Sequence, residues 1–293
     1  MSKTIGITAT ARKISPEEIE AGILFFQERG YRVITHPSLW ESDHQFAGTD
    51  AIRAKALQDF ILDDRIDCIV CARGGYGTLR MVDLVDFSSL KKTKKLIAGY
   101  SDITVLHNHL LAQHELMSLH STMPVNMKSN TPEALQSILD AIEGKDLSYT
   151  LSSHPLNRKG MSKGILFGGN LSLVYALQGS ASLPDAKGKI LFLEDLDEYL
   201  YHVDRMMLSL KRSGILAQLN GLIIGGFTEM KDNAIPFGKS AEEIILEHVA
   251  DYEYPVCFGF PGGHIPDNRT LIMGGRLTMK IEEHSELKSS FSK

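Results

Sequence analysis

Short apolar runs alternate with amphipathic stretches through the first half of the chain. Thr4 to Ala9 has the texture of a buried strand. Ser15-Pro16-Glu17-Glu18 announces a helix, with a cap, Pro at the first position and acids in the first turn. Ile19, Ile23, Leu24 and Phe26 supply its apolar stripe and Gly30 ends it. The same rhythm predicts strands over 31–35, 66–71 and 95–99, and helices over 51–62, 78–85, 102–114 and 132–142, with a short apolar stretch at 116–119. Strands alternating with helices predict an α/β fold with a mostly parallel sheet covered on both faces.

The rhythm then changes. Residues 145–163 are poor in large apolar side chains and read as a crossing between domains. Beyond it, strands are expected at 164–167, 189–193, 222–227, 256–259, 270–273 and 276–281, and helices at 171–178, 199–213 and 240–249. This predicts a smaller, β-rich second domain. The expected organisation is residues 1–145, a linker over 146–163, and 164–293, with a polar tail from Glu282 that frays.

Bulk properties narrow the function. A chain of 293 residues suits two domains. A net charge of -5 argues against a nucleic-acid partner, and the basic run Lys91 to Lys95 reads as a solvated loop. With no apolar leader pattern at the amino end and no apolar stretch of spanning length, the expectation is a cytoplasmic protein with no membrane partner. Cys68 and Cys71 form a C-x-x-C inside a strand, where residues three apart face opposite ways, so they read as core.

Four stretches could carry chemistry. The strand Leu96 to Gly99 ends in Tyr100-Ser101-Asp102, directly before a helix. Ser101 there is either a helix N-cap or a nucleophile at the carboxyl edge of a sheet. Arg73-Gly74-Gly75-Tyr76-Gly77 follows the preceding strand and belongs on the same edge; it is either a tight turn or a cradle of backbone N–H groups. It is not a P-loop, and the serine turn is not G-x-S-x-G. Glu194-Asp195-Leu196-Asp197-Glu198 ends an apolar strand, and Glu194 is the carboxylate closest to that strand. His264 stands in a loop dense in Gly and Pro, Gly259 to Pro266. A metal is the rival use for His107, His109, His114 and His120, but no zinc spacing occurs among them.

Taken together, Arg73–Gly77, Gly99–Asp102, Gly168-Gly169-Asn170-Leu171, Leu193–Asp195, the Tyr201-x-x-Asp204-Arg205 spacing and Gly259–His264 resemble, in order, the LD-carboxypeptidase family of serine peptidases, which includes microcin C self-immunity peptidases. The resemblance covers Ile5 to about Ile281. It implies a Rossmann-like amino-terminal domain bearing nucleophile Ser101, and a carboxy-terminal domain bearing the orienting acid Glu194 and the base His264. It further implies an oxyanion hole from the N–H groups of Gly75 and Asp102, no metal or cofactor, and a homodimer. The implied substrate is a cytoplasmic murein tetrapeptide that loses its terminal D-Ala. Arg73, Gly74, Tyr76, Asn170, Tyr201 and Arg205 are the candidate substrate contacts, with Arg73 and Arg205 the candidates for its carboxylate. The alternatives are a peptidase acting on peptidyl-nucleotides, and a non-catalytic two-domain protein that closes on a small ligand. Trp40, the single Trp, lies far from these motifs in sequence, which favours murein.

Overall fold

The computed structural model describes residues 2–93 and 95–292. The first half contains β1 (Thr4–Thr8), α1 (Pro16–Glu28), β2 (Arg32–Thr35), α2 (Asp50–Leu62), β3 (Cys68–Cys71), α3 (Thr78–Met81), β4 (Leu96–Gly99), α4 (Thr104–His114), β5 (Ser118–His120) and α5 (Pro132–Ile142). The second contains β6 (Leu147–Ser152), β7 (Gly160–Asn170), α6 (Leu171–Ala176), β8 (Ile190–Leu196), α7 (Leu200–Arg212), β9 (Gly221–Thr228), α8 (Ala241–His248), β10 (Val256–Cys257), β11 (Leu271–Met273), β12 (Arg276–Ile281) and β13 (His284–Ser290).

Strands β1 and β3 are buried at every position, as expected for the middle of a parallel sheet. That sheet has the order β11-β5-β4-β3-β1-β2 and is parallel except for β11. Its two faces are read off alternate residues. Ile5, Ile7, Cys68, Val70 and Ala98 pack with Ile19 and Phe26 of α1 and Ile138 of α5. Ile69, Cys71 and Ile97 pack with Leu57 and Phe60 of α2 and Leu106 and Leu110 of α4. Cys68 and Cys71 therefore belong to different apolar clusters, and burial pushes both thiols up to about 12.

The second sheet runs β10-β9-β8-β7-β12-β13-β6, parallel from β10 to β7 and antiparallel beyond. Its outer face, with Phe167, Leu191, Leu193, Leu222 and Ile224, packs with Val203, Met207 and Leu210 of α7 and Ile244 of α8. Its inner face, with Leu166, Ile190, Phe192 and Ile223, joins the same cluster as Ile5 and Phe26. One core thus serves both sheets.

Three segments differ from the sequence expectation. Residues 145–163 are not a bare crossing: they hold β6 and the start of β7. The residues from Glu282 onward do not fray but fold back as β13, inserted between β12 and β6. Strand β11, counted with the second half, pairs antiparallel with β5 of the first sheet. The chain just before it is tied to the first half as well. Pro266 O accepts from Thr131 N at 3.0 Å and Asn130 Nδ2 at 2.8 Å, and Asp267 accepts from Thr131 Oγ1 at 2.9 Å. Among the described residues no helix is long and apolar enough to cross a membrane.

The carboxyl edge of the first sheet is braced by Arg53 of α2, a fully buried guanidinium. It donates to Gly77 O at 2.8 Å, Gly48 O at 3.3 Å and Thr10 O, and pairs with Asp50. It fixes the end of the glycine-rich turn to the end of β1. Replacing it strands those buried carbonyls and Asp50's charge. Arg53→Leu should lower unfolding free energy by about 3–5 kcal/mol, measured by urea titration; a change under ~1 kcal/mol would mean the brace is dispensable.

Candidate active site

Strand β4 carries the chain to the carboxyl edge of the first sheet, and a 3-10 turn over Ser101–Ile103 leads into α4. Ser101 has φ +63°, in the left-handed region. For an L residue with a side chain that conformation costs roughly 1–2 kcal/mol, so the surroundings must hold it. They do so through Asp102, whose buried Oδ2 accepts from Thr78 N at 2.8 Å and fastens the turn to the glycine-rich loop. Burial raises the Asp102 carboxyl, while the Thr78 donors and the Arg53 charge oppose that. Ser101 does not cap its helix: the capping positions are Tyr100 and Ile103, neither with a side-chain cap bond. Its Oγ faces His264 instead, 3.1 Å from Nε2.

The acid arrives from the other sheet. Ile190 and Phe192 of β8 face the shared core, and period-2 alternation puts Glu194 on the same face, toward the first sheet. A register shift between Leu193 and Asp195 marks a bulge at that point, a common device for aiming a side chain. Glu194 is fully buried, and its Oε2 lies 2.6 Å from His264 Nδ1. The approach requires a glycine next door. Gly263 has φ +101°, and a Cβ there would stand 2.5 Å from Glu194 Oε2.

Burial lowers the His264 pKa, but the Glu194 charge and hydrogen bond outweigh it, with Asp195 and Glu229 adding, so the net direction is upward. The Tyr100 ring packs against the imidazole at 4.8 Å between centroids. With Nδ1 donating to Glu194, Nε2 is left to accept from the Ser101 hydroxyl. Hydroxyl, imidazole and carboxylate stand in the order in which a nucleophile, a base and an orienting acid are arranged for acyl transfer.

The glycine-rich loop lies directly over the serine. A Cβ on Gly74 would stand 2.8 Å from Ser101 Cβ, 3.0 Å from its Oγ and 3.4 Å from Asp102 N. Only a bare backbone fits there. Gly75, at φ +115°, turns the next peptide beside it.

The remaining residues singled out from sequence separate into groups. Arg73 is committed elsewhere, to Glu18 at 3.1 Å and Lys13 O at 3.2 Å. Tyr76 is exposed beside Phe46. Asn170 is buried; its Oδ1 caps α6 through Leu173 N and its Nδ2 donates to Asp195 at 2.8 Å. Burial pushes the Asp195 carboxyl up to about 7, with the Glu194 charge adding, while donors from Leu196, Asn170 and Ser172 pull the other way. Tyr201 and Arg205 lie on the exposed side of α7, the guanidinium 5.6 Å from the ring centroid. Their recorded contacts are with each other, Tyr199 and His202, not with the Ser101–His264–Glu194 chain.

The four clustered histidines do not meet at one point but pack as two pairs, His107 with His120 at 6.1 Å and His109 with His114 at 5.7 Å between ring centroids. His107 is held by Ser118 and Gly99 O, with burial lowering it to about 4, and His109 is held by Ser182. Among the described residues no group of three His, Cys, Asp or Glu could hold a metal ion. Sequence reading overlooked Arg53 and Arg12. Arg53 carried no signal beyond its place in a helix. Arg12 follows β1, on the same sheet edge as Ser101, and that position was the available clue.

Comparison with known proteins gives consistent relatives. The LD-carboxypeptidase N-terminal domain profile matches residues 5–121 and the C-terminal domain profile residues 163–279. A probable murein peptide carboxypeptidase of Bacillus subtilis is 30% identical over 289 residues, covering 96% of this chain and 89% of its own length. The microcin C7 self-immunity protein of Escherichia coli is 23% identical, covering 95% and 91%. A crystal structure of muramoyltetrapeptide carboxypeptidase from Oxalobacter formigenes superposes with a TM-score of 0.90 at 28% identity, covering 99% of both chains.

A base must be neutral to accept a proton, and His264 is shifted upward. The acid limb of kcat/KM should therefore have its midpoint above the ordinary histidine value of about 6.5, with the rate rising as pH increases through it. Glu194→Gln should move that midpoint down and lower kcat on the order of 10²–10⁴-fold. A limb that stays in place in Glu194→Gln would remove Glu194 from its orienting role.

Proposed function

Because the chain belongs to the LD-carboxypeptidase family and is a serine-family peptidase, we propose that it removes the terminal D-Ala from murein tetrapeptides, with Ser101 as nucleophile, His264 as base and Glu194 as orienting acid. The observation that carries this reading is the unbroken hydrogen-bond chain from Ser101 Oγ to His264 Nε2 and from Nδ1 to Glu194 Oε2.

In this mechanism Ser101 Oγ attacks the carbonyl carbon of the L-centre that precedes D-Ala, and His264 Nε2 takes the hydroxyl proton. The negative charge moves to the carbonyl oxygen, which sits under the N–H groups of Gly75 and Asp102. Collapse breaks the C–N bond, and His264 returns the proton to the departing amine. Water then attacks the acyl-serine with His264 again as base. Glu194 keeps Nε2 free to accept and stabilises the imidazolium while it exists. An oxyanion donor of this kind is worth ~10²–10³ in rate.

A second reading rests on the exposed pair Tyr199 and Tyr201, rings 5.7 Å apart just beyond β8, which offers a surface for stacking a nucleobase. The relative named for microcin C7 self-immunity makes peptidyl-nucleotides the competing substrate class.

Mass spectrometry of products from diaminopimelate and lysine tetrapeptides, a pentapeptide and a peptidyl-nucleotide should show D-Ala release from a tetrapeptide. Cleavage of the peptidyl-nucleotide alone would replace the murein reading. Ser101→Ala should abolish turnover with thermal stability near wild type, and near-normal activity in that variant would end the nucleophile assignment. Gly74→Ala, which places a methyl against Ser101 Oγ, should lower kcat on the order of 10²-fold or more.

A further inference from the structure

A carboxypeptidase must recognise a free carboxylate one residue beyond the bond it cuts. One extended residue spans at most about 3.6 Å, so the cation that reads the carboxylate belongs beside the oxyanion loop. Besides Arg80, which is paired with Asp50 at 2.9 Å, three arginines lie near that loop by sequence or contact: Arg73, Arg53 and Arg12. Arg73 is paired with Glu18 and donates to Lys13 O. Arg53 is fully buried and saturated by Asp50 and backbone carbonyls.

Arg12 differs from both. Its backbone is fixed, forming a bridge with Phe46 and donating from N to Gly74 O at 3.4 Å. Its stem lies along the loop: a Cβ on Gly75 would meet Arg12 Cβ at 2.9 Å and Cδ at 3.2 Å. Consecutive glycines thus face two ways, Gly74 onto Ser101 and Gly75 onto Arg12. The side chain is exposed, and among the described residues no carboxylate or carbonyl bonds its guanidinium. A fixed backbone, a stem lying against the proposed oxyanion donor and an uncommitted planar fork are the makings of a carboxylate clamp.

We infer that Arg12 binds the terminal carboxylate of the substrate and so makes this site a carboxypeptidase rather than an endopeptidase. The inference rests on the function proposed above. In it the guanidinium takes the carboxylate bidentately while the Gly75 N–H holds the developing oxyanion. The scissile carbonyl is registered between these two contacts.

The test compares a tetrapeptide ending in D-Ala with the same peptide ending in D-Ala amide, using the full-length protein. Wild type should favour the acid in kcat/KM. Arg12→Ala should lower kcat/KM for the acid on the order of 10–100-fold, mainly through KM, and leave the amide within about twofold. Arg12→Lys should recover part of the acid preference, because the charge remains without the fork. An acid preference unchanged in Arg12→Ala, or lost in Arg73→Ala instead, would overturn the clamp alone. Equal losses on acid and amide would make Arg12 a merely structural residue. A wild type that cleaves neither peptide, though folded by circular dichroism, would overturn the carboxypeptidase reading and the clamp with it.

Discussion

A fully buried carboxylate is stable only beside a charge or donor that answers it, and for Glu194 that partner is the imidazole of His264. Much of the second half of the chain serves this contact. The bulge in β8 aims the carboxylate inward. Gly263 lets the loop approach without a side chain in the way. Pro266 and Asp267 are bonded to Asn130 and Thr131, so the histidine loop is anchored to the first sheet while its ring is gripped from the second. The two sheets also share an apolar core. A molecule assembled this way has little freedom for one half to swing against the other, which counts against a binding protein that works by closing.

Strain is placed on the other side of the same contact. Ser101 is held in the left-handed region, where a serine is disfavoured, and its hydroxyl meets His264. The holding forces are local and polar: Asp102 to Thr78, and Arg53 to the carbonyls of Thr10 and Gly77. Ser101 and the loop above it are thus a single braced unit on the carboxyl edge of the sheet, and His264 is brought to it.

Much of this was legible in the residues themselves. Strands β1, β3 and β4 are largely apolar and buried, and α1, α2 and α5 open on Ser or Thr caps, so their pattern matched their structure. Ser101, Glu194 and His264 were singled out by a serine at a strand end, an acid at a strand end and a histidine in a Gly/Pro loop, and the structure brings the three side chains together, although Ser101 read alone is a cap. Two strands escaped notice because one face of each is polar. In β6 only Leu147, Tyr149 and Leu151 turn inward, and in β13 the inward positions are Ser285, Leu287 and Ser289. The alternation was present, but serine on the buried face hid it in β13. The pairing of β11 with β5 is non-local, so its own sequence carries no sign of it. Arg12 and Arg53 are alike in one dimension; only the fold separates an exposed uncommitted arginine from a buried brace.

The order of the parts along the chain also has a consequence during synthesis. Ser101 and His264 are separated by 163 residues, and Glu194 comes between them. A nascent chain that has already folded its serine turn still lacks the imidazole that meets its hydroxyl. The last member of the parallel sheet's edge, β11, follows the histidine by only a few residues, so completing the sheet and delivering the base are almost one event. The hydrogen-bond chain through Ser101, His264 and Glu194 is therefore assembled only after the second half of the chain has been made.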